Sequence, residues 1–171
     1  IAREIVELHH GKMKVDSEEG KGSTFTASFP ILSDEEFFLG RLSLEIQRAR
    51  EKGDFLSLVV LGLSGFEEIK KKIGETETET LLNKVSEIAN ETVRQPTDIV
   101  TSYKQGRIIA ILAGTDRKGA QVLAERVKRS VLAHPFLAGG GLFSFELRFG
   151  IGTYPEDGGN PAELVRKAEK A

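Results

Sequence analysis

The sequence predicts an α/β sandwich: one mixed central sheet containing an antiparallel hairpin, helices on both of its faces, and an extra helix and β-hairpin at the N-terminal end. Three observations point there. Residues 55–63 run apolar without alternating, as a strand covered on both faces must. Residues 99–103 and 107–112 are two further strand-like runs, and Lys104-Gln105-Gly106 between them has the length and the glycine of a tight turn, so an antiparallel pair enters the sheet. Helical periodicities before, between and after these runs supply the two covering layers.

Taken in order, Ile1, Ile5, Val6 and Leu8 fall near helical spacing, and Gly11 is a natural stop just beyond. Met13 and Val15 then alternate with lysines, residues 18–22 read as a turn, and Phe25, Ala27 and Phe29 alternate with Thr and Ser. A helix and hairpin of about 30 residues fall below the roughly 40 at which unassisted folding becomes rare, so this segment must dock on something. A domain boundary is expected near Ser33, dividing the chain into residues 1–32 and 33–171. Ser33-Asp34-Glu35-Glu36 offers a cap followed by acids at the positive end of a helix that carries Phe37, Phe38, Leu42, Leu44, Ile46 and Ala49 to about Lys52. Gly62, Ser64 and Gly65 end the buried strand. Helices are expected over 66–73 and about 78–93, the second with Leu81, Leu82, Val85, Ile88 and Ala89 on one face, before Pro96 breaks the pattern. A helix over 117–133 follows Thr115 or Asp116 as cap, Gly139-Gly140-Gly141 reads as a flexible loop, residues 143–153 alternate as a strand, and Pro161 opens a terminal helix.

Composition narrows the function. The 171 residues contain no Cys, which excludes disulfides, thiolate metal sites and cysteine nucleophiles and fits a reducing compartment. With 39% hydrophobic and 29% charged residues, and no apolar run near the roughly 20 residues that span a bilayer, the composition is that of a globular chain with no membrane contact of its own. Lys plus Arg number 24 against 26 Asp plus Glu, and there is no Trp and only 2 Tyr to stack on bases, so nucleic acid is not the expected partner. The opening Ile1-Ala2-Arg3-Glu4 is neither an initiator Met nor a signal peptide, so a piece of a longer protein is expected.

Residues 1–30, with the Ile5-Val6-Glu7-Leu8-His9 helix, the Gly20-Lys21-Gly22-Ser23-Thr24-Phe25 turn and strand, and the closing Phe29-Pro30, resemble the last part of the ATP-binding domain of sensor histidine kinases. That resemblance implies ATP and Mg for a parent kinase and no cofactor for this piece, because the upstream segments that hold the nucleotide lie outside it. Residues 38–171 resemble the GGDEF domain, the diguanylate cyclase fold. The resemblance rests on Gly152-Thr153-Tyr154-Pro155-Glu156-Asp157-Gly158 after a strand, on Arg166-Lys167-Ala168-Glu169-Lys170-Ala171, on Gly114-Thr115-Asp116, and on Arg48-Ala49-Arg50. It implies a nucleotide-cyclase-like sandwich. Cyclases of this family condense GTP with divalent metals held by carboxylates at a strand end and in a hairpin turn. Carried over position by position, the strand-end carboxylate falls on Gly62 and the signature turn on Lys104, Gln105, Gly106, Arg107 and Ile108, none of them a carboxylate. The guanine-reading Asn and Asp fall on Lys70 and Glu79, and lysine accepts no hydrogen bond. The family's inhibitory product site pairs an Arg with an Asp three residues later. Here Asp98 is preceded at that spacing by Gln95, with Arg94 one residue out of register, so Arg94 and Asp98 are the candidates for a remnant of that site.

The remaining motifs read as structural. His9 and His10 are adjacent and cannot share the i, i+4 geometry of a helical metal pair, and His134 sits where a helix ends. Gly20-Lys21-Gly22-Ser23-Thr24 lacks Walker spacing and joins two strands, while Lys70-Lys71-Lys72 is offset by Glu75, Glu77 and Glu79. No metal site and no enzyme activity are expected of this piece. The reading is a non-catalytic, cytoplasmic regulatory domain of a sensor histidine kinase, partnered by the kinase core or another copy. The alternative is a sensor that binds GTP or cyclic di-GMP without turnover, with Lys70, Glu79, Lys104 and Arg107 around the nucleotide.

Overall fold

The computed structural model describes residues 3, 6, 12–18, 20–29, 34–94, 96–104 and 106–170, and the chain divides into two units, Ile1–Ser33 and Asp34–Ala171. In the first unit Arg3 and Val6 are helical, and the rest of the helix expected over 1–8, with His9 and His10, lies outside the described residues. β1 (Lys12–Glu18) pairs antiparallel with β2 (Gly22–Ser28). The register sets Met13 opposite Ala27 and Val15 opposite Phe25, so one face of the hairpin is apolar and the other carries Lys12, Lys14 and Asp16.

The second unit runs α1 (Asp34–Lys52), β3 (Leu56–Leu63), α2 (Phe66–Ile73), α3 (Glu75–Thr92), β4 (Ile99–Tyr103), β5 (Arg107–Ala113), α4 (Arg117–Ala133), β6 (Leu137–Ala138), β7 (Gly141–Leu142), β8 (Leu147–Tyr154) and α5 (Pro161–Ala168). β6 and β7 make a small hairpin of their own, and the other four strands form one sheet in the order β4-β5-β3-β8. The fold class is the expected sandwich, with one detail corrected. Every pairing in the four-stranded sheet is antiparallel, not mixed. The helical crossovers do link strands of like direction, β3 to β4 and β5 to β8, but in each case a third strand lies between the two and removes the parallel contact.

β3 explains its own composition. Val59, Leu61 and Leu63 pack on one side of the sheet with Ile69, Leu81, Val85, Ala89, Ala124 and Val131 of α2, α3 and α4. Leu56, Leu58 and Val60 pack on the other with Phe38, Leu42, Ile46 and Leu164 of α1 and α5. Both faces are dry, so polar alternation would bury unpaired groups. The buried polar pair Ser57 and Thr153 meets this condition through a hydroxyl–hydroxyl bond of 3.0 Å, with Ser57 also bonded to the Thr115 carbonyl at 2.8 Å.

Local signals set the ends. Asp116, not Thr115, caps α4 by accepting from the Gly119 N–H at 2.8 Å, and Asn160 caps α5 ahead of Pro161. Three expectations shift. α3 starts three residues before Thr78, and Gly139-Gly140 is the tight turn of the β6–β7 hairpin, at φ 61° and 82°, instead of a flexible loop. The strand expected from 143 begins at Leu147, because the chain first returns to Phe136, where the Phe143 N–H bonds the carbonyl. Among the described residues, no helix is long and apolar enough to cross a membrane.

Candidate functional site

Gly62 and Arg107, two of the positions to which the resemblance carries the catalytic site, meet where β3 ends. In the sheet register Gly62 lies opposite Arg107 of β5 on one side and opposite Arg148 of β8 on the other, so all three share the face covered by α1 and α5. That face opens past the end of α5 into a cavity of about 300 Å³ walled by Gly62, Arg107, Arg148 and Glu169. A Cβ at Gly62 would meet only Arg107 Cγ, at 3.7 Å, so the glycine leaves usable space. Arg107 Nη1 donates to Glu169 Oε1 at 3.0 Å, and Lys104 Nζ approaches the same oxygen at 3.4 Å. Lys104 also lies 3.7 Å from Glu35 and 4.9 Å from the centroid of the Tyr103 ring. The Tyr103 side chain first, and Glu169 after it, hold the Lys104 ammonium above the usual lysine range, against the opposing effect of burial. Arg148 is turned to Glu146 through two bonds of 3.1 and 3.2 Å, which hold the Glu146 carboxyl below the usual range.

The four nucleotide candidates come together on one wall. Lys70, Glu79, Lys104 and Arg107 line a second cavity of about 400 Å³, with Phe66, Thr78 and Ser102 beside them. α2 presents Lys70 and α3 presents Glu79, while the β4–β5 hairpin brings Lys104 and Arg107. Lys70 is engaged, donating to Glu75 Oε1 at 2.5 Å, and that bond raises its pKa. The hairpin is held by the Leu63 N–H bonding the Gly106 carbonyl at 3.3 Å, and Gly106 lies against the Phe66 ring. Gln105 lies outside the described residues, and Ile108 faces the core.

Arg94 and Asp98 do meet, four residues apart in the α3–β4 loop. The Asp98 carboxylate is buried and accepts from Arg94 Nε and Nη2, both at 3.1 Å, and from the Arg94 amide at 3.0 Å. Arg94 Nη2 also reaches the Ala113 carbonyl at 2.8 Å and Thr115 Oγ1 at 2.6 Å. The pair thus ties the α3–β4 loop to the end of β5, and Arg94 lines a cavity of about 490 Å³ with Asp116 and Arg126.

A divalent cation asks for several oxygen ligands in a compact shell. The strand end supplies a glycine, two guanidiniums and Glu169, whose carboxylate is already shared by Arg107 and Lys104. Among the described residues, no three His, Asp or Glu side chains group so as to hold a metal ion, and this donor set does not fit one. Arg148 escaped the sequence reading, though an arginine inside the alternating run 147–153 was an available sign; Glu169 was read only as part of the closing helix, with nothing local to mark its place at the site, and Glu75, read as offsetting the lysine run, does pair with Lys70.

Residues 31–171 match the family described as diguanylate cyclase, GGDEF domain. The chain belongs to that family. This GGDEF domain is 30% identical over 146 residues to diguanylate cyclase TpbB of Pseudomonas aeruginosa, a match covering 84% of the chain and 33% of the relative, so the chain spans about a third of that protein's length. The solved GGDEF domain of TpbB superposes with a TM-score of 0.71 at 27% identity, over 78% of this chain and 77% of that one. A 34-residue stretch, 20% of the chain, is 56% identical to 5% of the circadian input-output histidine kinase CikA of Thermosynechococcus vestitus.

Proposed function

We propose that this GGDEF domain is a non-catalytic regulatory and interaction domain of a sensor histidine kinase in bacterial-type signal transduction. The observation that carries the reading is the exchange of charge at the strand end. Where the family's chemistry calls for a carboxylate holding metal, Gly62 lies between Arg107 and Arg148, and Glu169 is committed to Arg107. Two positive groups beside the reacting position oppose metal binding there by Coulomb repulsion. The kinase context rests on the resemblance of residues 1–30 and on the short likeness to CikA. A retained fold with this site acts by differential contacts, binding one state of the kinase core or a second copy better than the other. Autophosphorylation of the parent kinase with and without residues 34–171 tests it: a changed rate is expected, and identical rates and partner binding would remove the regulatory role. Incubation with GTP and Mg²⁺ is expected to yield no cyclic di-GMP.

One observation favours a second reading. Lys70, Glu79, Lys104 and Arg107 line a single cavity, where cations can meet phosphate oxygens directly and Glu79 can accept from a guanine edge. Isothermal titration of GTP, ATP and cyclic di-GMP, with and without Mg²⁺, separates the two. Saturable guanine-nucleotide binding that Lys70→Ala and Arg107→Ala weaken makes the domain a sensor; silence with all three leaves a protein-interaction module.

A further inference from the structure

We propose that the open edge of β8 accepts an acidic, extended segment of a partner protein as a fifth strand of the sheet. β8 closes one side of the β4-β5-β3-β8 order and, among the described residues, pairs with β3 alone. Its hydrogen-bond phase follows from one contact. Ser64 N–H donates to the Glu146 carbonyl at 2.9 Å, and Gly62 stands opposite Arg148 two residues further along, so 146, 148, 150 and 152 turn their peptide groups toward β3. The intervening residues Phe149, Ile151 and Thr153 then turn theirs outward. Thr153 confirms the phase: its N–H donates to Asp157 Oδ2 at 2.8 Å, and its carbonyl accepts from the Asp157 N–H at 2.7 Å, both outside the sheet. The outward N–H and C=O groups of Phe149 and Ile151 have no such partner among the described residues.

These groups face a groove of about 420 Å³ that runs along the edge between α4 and α5. Its rims are Arg117 and Gln121 from α4 and Lys167 and Lys170 from α5; Arg117 is paired with Glu156 at 3.0 Å and with Asp157, and Lys167 lies 3.5 Å from Asp157, so the three cations outnumber the two carboxylates beside them. Charge selects the occupant. A second copy laid edge to edge would set Arg117, Lys167 and Lys170 against their own images, which is how cationic edges deter self-pairing. A strand bearing Asp or Glu meets Lys170, which has no carboxylate partner among the described residues, as its counter-ion, while main-chain bonds to Phe149 and Ile151 supply the pairing, the usual division of labour in strand addition. Asp157 ends the slot at Thr153, so the segment is short, about five residues. The proposal is independent of whether the domain binds nucleotide.

The test titrates the ¹⁵N-labelled chain with the peptide acetyl-Glu-Val-Glu-Val-Glu-Val-Glu-amide, with its lysine counterpart, and with acidic peptides N-methylated at every second residue in either register. Expected are saturable amide shifts centred on Phe149 and Ile151 with slowed hydrogen exchange there, binding about tenfold or more weaker for the lysine peptide and for at least one methylated register, and a several-fold loss in Lys170→Glu with no change in unfolding temperature. Shifts centred elsewhere, equal binding of acidic and basic peptides, indifference to both methylation registers, or no binding at millimolar peptide would each overturn it.

Discussion

Gly106 joins conformation to contact in a single residue. Its φ of +75° lies in the left-handed region, and a Cβ built there would overlap the Phe66 ring, which pins the start of α2 to the β4–β5 hairpin. Gly106→Ala therefore meets backbone strain and overlap together and is expected to lower stability by about 1–3 kcal/mol, read by urea unfolding. Asp157 makes a comparable argument in charge. Burial alone would raise its pKa, but the Thr153 N–H and the Arg117 guanidinium, with Lys167 Nζ at 3.5 Å from Oδ1, outweigh burial and hold it below the usual carboxylate range. A carboxyl whose folded pKa is depressed contributes stability above its unfolded pKa, near about 4, and loses it as pH falls through the folded value. Asp157→Asn is accordingly expected to reduce the unfolding temperature at pH 7, with the gap to the parent narrowing below about pH 4. A gap independent of pH would assign the loss to packing instead.

At the scale of elements, α5 sits directly on the backbone of β8. A Cβ at Gly152 would strike the Leu164 carbonyl, so the helix rests directly on strand backbone, and Leu164 is fully buried beneath it. Gly152→Ala is expected to push α5 off the sheet at a cost of about 1–3 kcal/mol, and because Glu169 follows α5, the Arg107–Glu169 bond should loosen with it. Measuring unfolding together with the ¹⁵N shift of the Arg107 guanidinium checks both; a destabilised variant with an unmoved guanidinium would separate helix seating from the cavity. Asp116 and Asn160 as caps, and Pro161 at the start of α5, show why helix ends were readable locally: each signal acts within four residues. The β6–β7 hairpin was not readable, because its two-residue strands are too short to display alternation.

For the whole 34–171 unit, two cores share one sheet. Leu58 is buried against α1 and α5, and Leu61 against α2, α3 and α4, yet they are near neighbours on β3. Because either core requires β3 to be formed, the unit should unfold in one cooperative step. Leu58→Ala and Leu61→Ala are each expected to cost about 2–5 kcal/mol and to shift one shared transition in calorimetry and circular dichroism. Two separable transitions would show that the faces fold independently.

The sequence by itself determined the class of fold and its longer elements, since periodicity, caps and the continuous apolar run of β3 are local consequences of which surfaces must be dry. It also singled out Lys70, Glu79, Lys104 and Arg107, which the structure brings to one cavity. Only the tertiary structure decided that every strand pair is antiparallel, that Arg148 flanks Gly62 opposite Arg107, that Glu169 closes their cavity, and that β8 leaves an edge open between cationic rims. The physical reason is pairing register: which residues of distant strands stand opposite one another depends on strand order and phase, and neither is encoded in the periodicity of a single strand.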